Sequence, residues 1–405
     1  MMSGRTPTSK RDAVYVDEGR GLRPTASFLP VWTPGSFEAM SPGTLRTVRY
    51  ARAWFTGNDP CIQEEVLLDR DGTPVNATIV RPVRVHEPLP AWVVLHGITH
   101  KARAHAQLAR FTRAVVSTGA VAIVPEVPEW RSLSLTPGCA VPTLKAGIAG
   151  LRESGWARDA PVGVIGFSFG APHAVAATAH PDLESEVAGS VSFGGYCDLA
   201  RTIRFLMTGT HEWHEREYRI TPDPYGRWIV GANYLTAIDE YSDAGDVVHA
   251  LRALAIHAGD SGIPSLDPRL DSRKGELRAS VAEGRLPLFD LFAPRSADLP
   301  DAARGTEIAE ALVSAARRAD PEIEPRSALA KVRRPVHLLH GRRDHLIPFS
   351  ESLRLREALP PETESRTTIT RLFGHSAQDS FPSMLRTARE VPAFFLALRN
   401  FLRLV

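Results

Sequence analysis

The sequence predicts an α/β fold, a mostly parallel central sheet flanked by helices and interrupted by a helical insertion. Three observations carry this. Short apolar runs alternate with helix-length amphipathic runs from Glu64 to Asp198, the pattern of βαβ units. The rhythm breaks from about Asp198 to Lys331 and resumes from Val336 towards the C terminus. Between a strand and a helix of the first block stands Gly166-Phe167-Ser168-Phe169-Gly170.

The elements follow in order. Leu45 to Phe55 has helical spacing. Glu65–Asp69 and Val75–Val80 read as two strands, and Arg70-Asp71-Gly72-Thr73 between them is a hairpin turn signal. Ala91–Leu95 is a buried strand. Lys101–Thr118 is a helix ended by Gly119. Val121–Val124 is a strand stopped by Pro125 and Pro128, and Thr143–Trp156 a helix with apolar Leu144, Ile148 and Leu151 on one face. Val162–Ile165 is a strand, Gly170–Ala179 a helix and Val187–Phe193 a strand. Past the insertion come strand Val336–Leu339, helix Ser350–Leu359, strand Thr367–Leu372 and helix Ser380–Leu402. The insertion holds helix-like stretches at Ile229–Ile238, Asp243–Ala258 and Thr306–Ala319, with no clear buried strand. The expected division is an N-terminal extension over residues 1–60, a core over 61–197 and 331–405, and a helical cap over 198–330.

Composition narrows the function classes. At 405 residues with 43% hydrophobic and 23% charged residues, a large core can be buried. Basic and acidic residues nearly balance, 48 to 46, which gives no reason to expect nucleic acid or an anionic membrane as partner. Cys61, Cys139 and Cys197 are odd in number and far apart, so neither a disulfide framework nor a zinc site is expected. No apolar leader precedes Arg20 and no run reaches membrane-spanning length. The apolar C-terminal stretch Ala393–Val405 is broken by Arg399 and Arg403 and reads as a helix packed on a core. The expected location is the cytoplasm. Residue pattern leaves room for a homodimer and implies no cofactor.

The chemistry rests on four pieces. A chance GxSxG is not rare in a chain of this length, so the strand–turn–helix setting of Ser168 is what raises it to a candidate nucleophile. The small residues around it suit a crowded, sharp turn, and a helix N-terminus behind it favours developing negative charge. Leu95-His96-Gly97-Ile98 ends an earlier strand. A tetrahedral oxyanion needs two backbone N–H donors, expected here from Ile98 and Phe169. His96 is expected to pin that loop rather than to react. Asp344, in His340-Gly341-Arg342-Arg343-Asp344, lies just past a strand where an orienting acid belongs, and His375, in Phe373-Gly374-His375-Ser376, past the next. The order Ser, Asp, His then gives a nucleophile, its acid and its base. Asp198, after the strand that precedes the insertion, is the reserve acid.

With these residues in view, the chain resembles the α/β-hydrolase superfamily, particularly its esterase, dienelactone-hydrolase-like and prolyl-oligopeptidase-like branches. The resemblance covers about Glu64 to Asp198 and Lys331 to Val405, and rests on LHGI, GFSFG, HGRRD and FGHS. It implies hydrolysis of a carboxylic ester, thioester or amide of a small molecule through an acyl-enzyme. There is no HGGG in the early loop, which argues against the hormone-sensitive-lipase-like branch. An oligopeptidase-type peptidase is the alternative within enzymes, but 60 residues cannot hold a propeller. A non-catalytic binding protein on the same fold is the alternative outside them.

Other residues are weaker candidates. His211 and His214 have spacing that suits a metal, without an evident third ligand. Asp260, Asp267 and Asp271 lack calcium-loop spacing and are expected to be solvated. Arg342 and Arg343 could face substrate or solvent. Trp213, Trp228 and Tyr234 could line an acyl pocket or pack within the cap.

Overall fold

A computed structural model describes residues 42–57, 59–296, 298, 300–372 and 390–405. Its frame is an eight-stranded sheet: β1 (Cys61–Arg70), β2 (Thr73–Pro82), β3 (Ala91–Leu95), β4 (Val121–Pro125), β5 (Val162–Phe167), β6 (Val187–Phe193), β9 (Val336–Gly341) and β10 (Ser365–Thr370). They lie in the order β1-β2-β4-β3-β5-β6-β9-β10. β1 and β2 form an antiparallel hairpin closed by Asp71 and Gly72, whose φ values of 51° and 82° suit a tight two-residue turn. β2 is antiparallel to β4, and every pairing from β4 to β10 is parallel.

The apolar strands are continuous because both faces are covered. Along β3, Ala91, Val93 and Leu95 join one hydrophobic cluster while Trp92 and Val94 join the other. β4 splits the same way, Val121 and Ile123 against Ala122 and Val124. The second face is covered by α1 (Pro42–Thr56), α2 (Ala106–Val116) and the C-terminal helix (Val391–Phe401). There the ring of Phe401 meets Tyr50 at 6.3 Å and Trp92 at 5.9 Å, both edge-on. Arg46 donates to the carbonyls of Leu402 and Val405, clipping α1 to the chain end. The C-terminal stretch therefore packs on the core, as its periodicity predicts. Among the described residues no helix is long and apolar enough to cross a membrane.

The first face carries α3 (Ala140–Glu153) and the segment between β6 and β9. That segment holds α5 (Leu199–Thr208), α6 (Pro224–Tyr234), α7 (Gly245–Ser261), α8 (Asp271–Arg278), α9 (Leu286–Phe292) and α10 (Ala302–Ala319), with α4 (Gly170–Ala177) preceding β6. Its buried residues form one continuous cluster with those of the sheet, from Val93 and Leu144 to Leu251 and Leu312. The segment also holds a short polar hairpin, β7 (Thr210–Trp213) and β8 (Arg216–Arg219), in which only His211 is buried, so it adds no buried strand. One expectation is corrected here: α6 begins at Pro224, five residues before the predicted start. Asp223 caps it by accepting the Tyr225 N–H at 2.9 Å, with Pro224 in the first turn, a start signal present in the sequence.

After β9, α11 (Ser350–Ala358) packs against β9 and β10. Its carboxylate-bearing Glu351 is almost wholly buried. Cys61, Cys139 and Cys197 are all free thiols, with burial pushing Cys139 and Cys197 up to about 12.

Candidate active site

Ser168 sits on the turn from β5 to α4 with φ at 53°, a left-handed conformation that is strained for a residue with a side chain. The turn survives because its neighbours are small. A Cβ on Gly166 would stand 2.6 Å from the Gly170 carbonyl oxygen, and one on Gly170 would stand 2.5 Å from that of His96. The backbone is held on both sides: Ser168 N–H donates to Phe193 O at 2.8 Å, and Ala171 N–H donates to Ser168 O at 3.0 Å. Phe167 stacks on Phe193 at 4.9 Å. Among the described residues the Ser168 hydroxyl makes no hydrogen bond.

The loop after β3 lies against this turn. A Cβ on Gly97 would meet Ser168 Cβ at 3.0 Å and Phe167 O at 3.3 Å, so any side chain there would press on the serine turn. His96 is buried and holds the loop, as expected from sequence. Its Nε2 accepts the Val127 N–H at 3.0 Å, so its Nδ1–H donates to Gly97 O at 2.7 Å. Burial lowers its pKa to about 4, which keeps the ring neutral and that tautomer in place. In a trans peptide the C=O and the following N–H point opposite ways. Anchoring Gly97 O therefore turns the Ile98 N–H away from His96. Among the described residues the N–H groups of Ile98 and Phe169 make no hydrogen bond.

Asp344, on the loop after β9, is 1% exposed. Its Oδ1 accepts the N–H groups of Leu346 and Ile347 at 2.8 and 2.9 Å. Its Oδ2 lies 3.4 Å from His340 Nε2. That nitrogen donates to Ile347 O at 2.8 Å, and His340 Nδ1 accepts from the Ser352 hydroxyl at 2.6 Å. His375 lies outside the described residues.

Ile98, Ser168, Phe169, Leu346 and Ile347 border one apolar cavity of about 80 Å³, roofed by Leu199, Ile203 and Leu206 of α5 and by Tyr225, Gly226, Ile229 and Val230 of α6. Apart from Ser168, the polar side chains in its wall are committed elsewhere. Tyr196 donates to Ile323 O at 2.7 Å, Thr202 to Asp198 O at 2.8 Å and Tyr225 to Ile98 O at 3.2 Å.

Several candidates have other work. Asp198 caps α5, accepting the Arg201 N–H at 3.0 Å. His211 stacks on Tyr218 and bonds the Ser350 hydroxyl at 3.0 Å, and His214 is at the hairpin turn. Trp228 and Tyr234 are buried in the inserted segment, donating to Phe292 O and Leu135 O, and Trp213 packs beside Phe349 and Leu353. None of the three borders the cavity. The acidic loop is not simply solvated: Asp260 pairs with His100 at 2.9 Å, Asp267 caps a turn at Arg269, and Asp271 accepts from Ser296 and Lys274. The Arg342 guanidinium lies 5.7 Å over Phe349, and Arg343 is exposed.

Two residues escape sequence reasoning. Tyr225 reaches the β3 loop across 127 positions of chain. Glu351 accepts the N–H groups of Cys197 and Asp198 at 3.0 and 2.8 Å, fixing the start of α5. Burial pushes its carboxyl up to about 7, against those two N–H groups and Arg354. Sequence shows only the helix Ser350–Leu359 that carries it, and the polar residues there mark no buried position.

Strand order, parallel register and a strained serine between β5 and α4 give this chain the architecture of the α/β-hydrolase fold. No family model matches the sequence and no curated protein matches it. Among solved structures it is similar to the acylaminoacyl peptidase of Pyrococcus horikoshii (12% identity, TM-score 0.45), covering 86% of this chain and 42% of that one. The chain thus spans about two fifths of that peptidase. It is also similar to an esterase from Rhizomucor miehei (15% identity, TM-score 0.45, 91% and 92% covered). A third is brefeldin A esterase, described as a bacterial homologue of human hormone-sensitive lipase (15% identity, TM-score 0.42, 91% and 88% covered).

Proposed function

We propose that the chain is a serine hydrolase acting on carboxylic esters of short, apolar acyl groups. One observation carries this: a strained serine, its hydroxyl uncommitted among the described residues, stands in the wall of an apolar cavity whose other polar side chains bond elsewhere. An apolar cavity of about 150 Å³ holds a benzene ring, so this one suits an acyl chain of about four carbons.

In this reading Ser168 Oγ attacks the acyl carbonyl carbon while His375 takes the hydroxyl proton. The carbonyl oxygen becomes an oxyanion facing the N–H groups of Ile98 and Phe169. His375 returns the proton to the leaving alcohol, and the C–O bond breaks to give an acyl-enzyme. Water, deprotonated by His375, attacks the acyl carbon, and the proton goes back to Ser168 as the acid leaves. Asp344 orients His375 and favours its charged form. Its Oδ1 is already held by two backbone N–H groups, so the carboxylate is rigid before any partner arrives. The segment 198–330 acts as a cap that sizes the acyl group and limits water. The reaction calls on protein groups and water alone.

The test is labelling by a fluorophosphonate, wild type beside Ser168→Ala, with turnover of p-nitrophenyl esters from acetate to decanoate. Wild-type labelling and turnover peaking near butyrate support the reading, with Ser168→Ala folded, unlabelled and slower by orders of magnitude. A wild type that neither labels nor turns over any ester overturns it in favour of a non-catalytic protein of this fold.

A further inference from the structure

The first turn of α6 is fastened to both loops that flank Ser168. Asp223 N–H donates to His345 O at 2.6 Å, joining the turn to the loop that carries Asp344. His345 Nδ1–H donates in return to Thr221 O at 2.8 Å. Asp223 also accepts the Tyr225 N–H, which orients the Tyr225 backbone. From there the Tyr225 hydroxyl donates to Ile98 O at 3.2 Å. The phenol is half-buried in the cavity wall, and desolvation there raises its pKa, so it stays a protonated donor.

These bonds converge on Ile98. The peptide before it is anchored at Gly97 O by His96, from the sheet side. The peptide after it is anchored at Ile98 O by Tyr225, from the inserted segment. With both flanking peptide planes held, the direction of the Ile98 N–H is set. We propose that Tyr225 is a positioning residue: it makes the inserted segment complete the oxyanion site, by holding the Ile98 amide in the direction that His96 alone leaves half-restrained. The proposal rests on the serine-hydrolase reading above, and makes the segment part of the catalytic geometry as well as a roof.

Preorganised donors act through direction, so losing the anchor weakens binding of the tetrahedral state more than binding of the substrate. Tyr225→Phe removes the hydroxyl and keeps the ring, leaving the cavity its shape. A single neutral hydrogen bond sets the scale of the effect, about three- to tenfold. The experiment measures, for wild type and Tyr225→Phe, the single-turnover acylation rate with p-nitrophenyl butyrate, the substrate dissociation constant from its concentration dependence, and inhibition by butylboronic acid, which forms a tetrahedral adduct on a reactive serine. Thermal midpoints are recorded alongside. The expected result is an acylation rate and a boronate affinity both lower by about three- to tenfold, with the substrate dissociation constant and the preferred chain length unchanged. Unchanged acylation and boronate affinity overturn the proposal, as does a change confined to substrate binding, which would make Tyr225 a wall residue only. Fluorophosphonate labelling of the wild type is the separate check on the parent reading: labelled wild type with an unaltered Tyr225→Phe sinks this proposal alone, and unlabelled wild type sinks both.

Discussion

The carbonyl oxygen of His96 lies 2.5 Å from where a side chain on Gly170 would begin. The β3 loop and the β5–α4 turn are therefore in backbone contact, and the space between them is the width of a hydrogen atom on Gly170. Trp130 closes the same position from the side, 2.9 Å from that point. Backbone and a buried indole cannot move aside as a flexible side chain does.

Gly170→Ala should consequently separate the loop from the turn. We expect a fall in melting temperature of several degrees, from about 1–3 kcal/mol of overpacking, and loss of most fluorophosphonate labelling. Thermal unfolding with labelling rate checks this. A variant as stable and as reactive as wild type would show that the two backbones have room to part.

Gly226 controls the depth of the cavity. A Cβ there would collide with Leu206 Cδ2 and stand 2.8 Å from Leu346 Cδ1, both in the cavity wall. These are flexible side-chain ends, so the variant should fold by pushing them inward. Gly226→Ala is expected to shift ester preference from butyrate towards acetate, with butyrate kcat/KM falling about tenfold or more, the scale of one or two methylenes in an apolar pocket. A chain-length profile identical to wild type would place the acyl group elsewhere.

Buried titratable groups give the fold an opposed pH dependence. Glu351 has its folded pKa raised from 4.5 to about 7 by burial. The folded state therefore binds more protons than the unfolded state between these values, and this contribution is present below pH 4.5 and lost as pH rises through 7. His173 behaves oppositely. Burial lowers it from 6.5 to about 3, so its contribution is full above pH 6.5 and lost as pH falls towards 3. Glu351→Gln should remove the first slope: the histidine contribution is common to both proteins, so the variant's urea midpoint should gain on that of wild type between pH 5 and pH 8. An equal offset between the two proteins at both pH values would show that Glu351 does not titrate in this window.

Much of the fold was legible because parallel strands covered on both faces must be apolar throughout. Ala91–Leu95, Val121–Val124 and Val187–Phe193 could be read as strands with no partner in view, and Asp71-Gly72 as the hairpin turn. The turn at Ser168 was legible for a related reason: crowding at a sharp turn admits few residue types, and Gly166 and Gly170 are the imprint of that crowding. The start of α6 was also written, in Asp223-Pro224, and is a signal the periodicity obscured.

Sequence by itself determined the elements of the sheet, the serine turn and the direction of the chain through it, because each depends on neighbours a few residues away. Tertiary structure alone decided what surrounds the serine. The meeting of Tyr225 with Ile98, the seating of Glu351 on the backbone of Cys197 and Asp198, and the choice of Leu206 and Ile229 over Trp228 and Tyr234 as cavity wall all join residues far apart in the chain. A side chain's type records that it will be buried or bonded. The partner it finds depends on the packing of whole helices against the sheet, a sum of many weak contacts that no local pattern encodes.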